Sequence, residues 1–164
     1  VFGLPAEDGA ERLVHAVVDE ALGPILGWQS EDTDTEARVA NLVEASMPRI
    51  SEFEATFKAA LKLSLEQWAE RQAGTLGAEP PFKRGHRVDL LQQAIAPLRT
   101  TLPEPQFKRL AQALSLTYGL EVLIVLKDIW GLAFEETRDV ALWAANALVR
   151  AAVAEADPRT QGNI

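Results

Sequence analysis

The chain has 164 residues, 48% of them apolar and 24% charged, a balance that excludes disorder and allows a buried core. It has no cysteine, which excludes disulfides, thiolate nucleophiles and cysteine-held metals or iron–sulfur clusters. Sixteen basic against 24 acidic residues give a net charge of −8 with no dense basic stripe, so these residues are not expected to grip nucleic acid.

Helical periodicity runs through almost the whole chain, and no useful β alternation, internal repeat or low-complexity tract occurs. Leu13, Val14, Val17, Val18, Ala21 and Leu22 recur at three-and-four spacing, and Gly23-Pro24 should stop or kink this first helix. Thr33 with Glu36 looks like a capping box for a second helix with Val39, Leu42, Val43 and Met47 on one face, ended by Pro48. Ser51 with Glu54 opens a third, carrying Phe53, Phe57, Leu61, Leu65 and Trp68, with Gly74 as its stop. Residues 74–85 form the obvious loop. A fourth helix runs from His86 to about Thr101, with Val88, Leu91, Ile95 and Leu98 inward and Pro97 as a kink or end. The fifth is expected to continue from Pro103 to about Trp130, apolar on more than one side and hence covered on more than one side. The last spans Phe134 to Ala156, kept slim by its alanines.

The expected fold is therefore all-α, an antiparallel bundle of about six to seven helices. The stretch 114–134 is interrupted by Glu121, Lys127 and Asp128, which argues against a membrane span. Val1 to Pro5 lack the basic flank and apolar run of a signal peptide. A cytoplasmic protein without a membrane partner is the expectation.

Leu116 to Leu132, with Gly119-Leu120-Glu121, Lys127-Asp128 and Gly131-Leu132 in succession, leads into Glu135 to Ala145. This order resembles the closing helix pair of TetR-type regulatory domains. Glu54 to Glu66, and Arg84-Gly85-His86-Arg87-Val88 ahead of Ala96-Pro97-Leu98-Arg99, look similar to the same group. The likeness covers about 50–156, the first 50 residues sharing only helix order. It implies one effector-binding and homodimerising domain over 1–164, whose last two helices pair with a symmetry mate. A small apolar or amphipathic effector would bind among the preceding helices. The family's helix-turn-helix head has no counterpart here, so operator DNA would be reached only through a domain absent from this chain.

On this reading Phe53, Phe57, Leu61, Ile95, Leu114, Tyr118 and Glu121 are the candidate ligand-binding residues. Leu120, Leu123, Ile124, Trp143, Leu148 and Ala151 are the candidate dimer face. An apolar stripe at helical spacing is ordinary core as readily as pocket wall, because pockets are mostly apolar too. Glu121 and Asp128 carry more information: acids in a buried helix are costly unless paired, either with an effector or with Arg99, Arg87 or Lys127. Lys83, Arg84, His86 and Arg87 form the one basic cluster, an anion site or a solvated loop. His15 and Asp19 have metal-pair spacing but lack further ligands, and the acids 31–36 lack the spacing of a calcium loop. No metal or cofactor is expected. Nucleophile elbows, phosphate loops and helical metal pairs are missing, and Glu135-Glu136 suit helix capping better than acid–base work, so an enzyme is not expected. The competing classes are a helical module that docks another protein and a small enzyme using Glu121 and His86.

Overall fold

In a computed structural model, residues 6–77 and 86–156 are described, with side chains from residue 16 onward. They form an all-α bundle with no strand among them: α1 (Ala6–Leu26), α2 (Thr35–Glu52), α3 (Glu54–Ala73), α4 (His86–Ala94), α5 (Glu104–Leu114), α6 (Leu120–Leu123) and α7 (Phe134–Ala156). A 3₁₀ turn (Ala96–Thr100) follows α4, and a π-helical segment (Ile124–Ile129) continues α6.

α2 is the central strut. Val39, Leu42, Val43 and Met47 fall at helical spacing and are almost fully buried. The helix meets α1, α3, α4, α6 and, most extensively, α7. α7 turns the small residues Ala141, Ala145 and Ala152 inward with Val149, and this lets the two backbones approach closely. Phe107, Leu110 and Leu114 of α5 complete one continuous core with Leu90, Leu91 and Ile95 of the α4 region.

Pro24, expected to stop or kink α1, and Pro48, expected to end α2, both sit inside their helices. Pro24 cannot donate to the Glu20 carbonyl, and Arg49 of α2 donates there instead through Nη2 at 3.0 Å. Arg49 Nε also donates to the Ala21 carbonyl at 2.7 Å, so a neighbouring helix supplies what the proline removes. Pro48 likewise lies within α2, which bends into α3 only at Phe53. Pro97 fits its expectation, because α4 ends at Ala94 and tightens into the 3₁₀ turn.

The helix caps also differ from the sequence expectation. Asp34, not Thr33, is the N-cap of α2, its Oδ2 accepting from the Ala37 N–H at 2.8 Å. Glu36 pairs with Arg150 of α7 at 2.7 Å. Glu54 closes no box with Ser51, because Lys58 and Lys127 hold its carboxylate at 2.7 and 2.6 Å. Gly74 does end α3, in the left-handed conformation at φ 70°.

The largest correction concerns the helix expected from Pro103 to Trp130, which breaks at 115–119. The hydroxyls of Ser115 and Thr117 donate to the carbonyls of Ala111 and Leu114, each at 3.0 Å, competing with helix propagation. Gly119 then adopts φ 108°, ψ −167°, a conformation nearly confined to glycine. The chain re-enters as α6 and widens into the π segment, where the Trp130 N–H bonds the Val125 carbonyl at 3.2 Å. Gly131, at φ 71°, closes it before α7 begins.

Candidate functional site

The break at 115–119 places Tyr118, Gly119, Leu120 and Glu121 opposite the first turn of α4, and a partly open cavity of about 130 Å³ lies beside them. Val18, Leu22 and Ile25 of α1 form one wall, Phe57, Ala60 and Leu61 of α3 another, with Ile50 and Leu90 between. His86, Arg87 and Glu121 supply the polar end. The site is an apolar hollow with a charged pair at one side, the general form of a small-molecule pocket.

Arg87 organises that polar end. Its Nη1 donates to the carbonyls of Ser115 and Tyr118, both at 3.3 Å, and its Nη2 to Glu121 Oε2 at 2.5 Å. The guanidinium lies so close to the Gly119 backbone that a Cβ there would stand 3.3 Å from Arg87 Cζ. Glycine at 119 thus serves the turn and the close approach together. Tyr118 is 4% exposed and hydrogen-bonded with Ser46. Burial pushes its phenol above the usual tyrosine range, against the opposing pulls of the Ser46 bond and the Arg87 charge, so it stays neutral near pH 7.

Of the ligand-binding candidates, Phe57, Leu61, Tyr118 and Glu121 come together on this cavity. Ile95 and Leu114 do not: both are fully buried in the core, on sides of their helices covered by other elements. Phe53 sits at the α2–α3 joint with the Arg49 guanidinium 4.9 Å above its ring, away from the cavity. The α1 wall is the part of the cavity that sequence reasoning misses. Arg87 and Glu121 had been named together as a candidate pair, and the structure joins them. Asp128 pairs with Lys58 at 2.7 Å instead.

A second feature is the outer face of the hairpin made by α6, its π continuation and α7. Trp130, Ile129 and Trp143 are each 72% exposed, and Val125 and Val140 are exposed beside them in sequence. On α7, Val140, Trp143, Ala147, Ala151 and Ala154 repeat at three-and-four spacing, a stripe without charge. Leu120 and Leu123, expected on a dimer face, are turned inward: Leu123 is fully buried and Leu120 lines the cavity. Ile124 and Leu148 are half-buried, the latter against the core, while Trp143 and Ala151 are exposed. With more residues per turn than an α-helix, the π segment shifts the helix phase, and its exposed apolar positions are Val125 and Ile129.

Among the described residues no group of three or more His, Asp or Glu could hold a metal. No helix among them is long and apolar enough to cross a membrane. Lys83, Arg84 and the side chain of His15 lie outside the described residues. Neither protein-family models, curated proteins nor solved structures give a match to the chain.

Proposed function

We propose that this chain is the effector-binding and homodimerising domain of a TetR-type transcriptional regulator. The observation that carries the reading is the cavity itself, an apolar hollow walled by α1 and α3 and closed by an ion pair from α4 and α6. Arg87 spans that pair and the turn that launches the closing hairpin, so occupancy of the cavity bears on the element with the exposed apolar face. A ligand that prefers one arrangement of these helices shifts the population toward it, and any partner bound through the hairpin senses the change. In this reading a helix-turn-helix segment outside residues 1–164 contacts operator DNA, consistent with the acidic balance of this chain.

The dimer is proposed through the exposed side of the hairpin, because large aromatic and branched residues left uncovered in a row mark an interaction surface. A two-fold interface is self-complementary, so one substitution strikes it twice. Light scattering over a dilution series is expected to give twice the chain mass, with Trp143→Arg or Ile129→Glu reducing it to the monomer while helicity is retained. A folded wild-type monomer at every concentration would overturn the dimer and favour a module that docks a different protein.

A further inference from the structure

We propose that the cavity takes a small apolar monocarboxylate, with its acid group bound by Arg87 in place of Glu121 and its hydrocarbon among Leu22, Ile25, Phe57 and Leu61. The inference rests on reading the cavity as a ligand site and adds the ligand's chemistry. A guanidinium has five N–H donors. The bonds to Ser115 and Tyr118 engage Nη1 alone, so displacement of Glu121 leaves the Nε–H and Nη2–H groups as the donors of a side-on, bidentate carboxylate contact. His86 borders the same end and offers a further ring N–H. The Arg87 donors not used by Ser115 and Tyr118 therefore call for an acceptor group on the ligand.

Charge and size narrow the class. A cationic ligand would face Arg87, and the Glu121 carboxylate is already engaged. A neutral acceptor forgoes the charge-assisted bond, roughly twice as strong as a neutral one. Glu121 is the more exposed member of the pair, 39% against 27% for Arg87, so water receives its carboxylate when a ligand displaces it. The volume of about 130 Å³ approaches that of apolar cavities that admit benzene, which limits the enclosed part to one ring or a short chain. The open side accommodates the remainder of a longer tail.

The test is calorimetric titration near pH 7 with benzoate and octanoate, each compared with its amide, on the wild-type chain and three variants. At least one acid is expected to bind wild type about tenfold more tightly than its amide, the difference a charge-assisted pair contributes. Arg87→Met should abolish that preference. Because Arg87 also braces the 115–119 turn, Glu121→Gln is the second variant: it removes the competing carboxylate, keeps the bonds to Ser115 and Tyr118, and should tighten the acid several-fold while leaving the amide unchanged. A loss of fold cannot produce that gain. Ala60→Phe fills the cavity and should weaken acid and amide alike. Equal affinity for acids and amides, or no tightening in Glu121→Gln, overturns the carboxylate assignment and leaves the cavity as a site for neutral ligands. If neither acids nor amides bind, or if binding is indifferent to Ala60→Phe, the reading of the cavity as a ligand site fails and this proposal falls with it.

Discussion

Arg38 is 8% exposed, and its four hydrogen bonds go to main-chain carbonyls: Ser30, Asp32 at 2.9 Å, Gln93 at 2.8 Å and Ala94 at 2.9 Å. The delocalised guanidinium tolerates such a place because its fork matches several carbonyls at once and it does not deprotonate. It fastens the 28–34 connection and the end of α4 to α2, helped by Trp28, whose indole N–H donates to Asn41 at 2.8 Å and whose carbonyl accepts from Gln93 at 3.0 Å. Arg38→Met keeps the volume but strands buried acceptors, so it should cost roughly 3 kcal/mol, the scale of leaving buried polar groups unsatisfied. Arg38→Lys should recover only part, since an ammonium cannot span both carbonyl sets. Urea titration checks this through a lower midpoint at unchanged slope; a variant within experimental error of wild type would mean water replaces the fork. Flanked by Ala37 and Val39 in an amphipathic helix, Arg38 reads in the sequence as a solvated charge. Two of its four partners, Gln93 and Ala94, come from chain positions about 55 residues away, which no local pattern records.

At the scale of the element, helix order was legible because apolar spacing of three and four is a local property, and α3 and α7 fall where it places them. Breaks were less legible, because they depend on who satisfies the backbone. α1 runs on past Pro24 only to Leu26, with Arg49 covering the orphaned carbonyl, whereas Gly119 makes a break that apolar continuity from Leu114 to Leu126 concealed. The glycines sort accordingly. Gly74→Ala meets nothing within 4 Å and pays only the left-handed backbone, about 1 kcal/mol. Gly119→Ala is expected to cost more, about 2 kcal/mol, because φ 108° is strained for any side chain and the new Cβ crowds the Arg87 guanidinium. Its second signature is local: amide exchange should quicken at 115–121 and leave α5 protected, whereas Gly74→Ala should spare both. Equal costs with no local change would show that the turn relaxes freely.

For the whole molecule, what the sequence could not supply is which helix faces cover one another. Phe57, Leu61, Tyr118 and Glu121 lie on faces that converge on a hollow, while Ile95 and Leu114, equally apolar, lie on faces that converge on solid core. Charge ties the same distant parts together: Lys127, Glu54, Lys58 and Asp128 alternate in sign and clamp α3 to the π segment of the closing hairpin. Hydrogen bonds from Lys127 and then Lys58 hold the Glu54 carboxyl below its ordinary 4.5, outweighing the opposing effect of burial. Its contribution to folding is therefore present above about pH 4.5 and lost as pH falls through the lower folded-state value. Lys58 is raised above 10.5 by its bonds to Asp128 and then Glu54, so its share is complete below 10.5 and fades only as pH rises through that raised value. Between those limits wild type should exceed Glu54→Gln in stability by about 1 kcal/mol, the upper range for ion pairs near a surface. The gap should narrow as pH drops below 4.5 and shrink in high salt, read by urea unfolding at each pH. A gap that widens on acidification would mean that Glu54 is protonated more readily in the folded chain than in the unfolded one. The four-charge clamp would then strain the joint between cavity wall and hairpin rather than hold it.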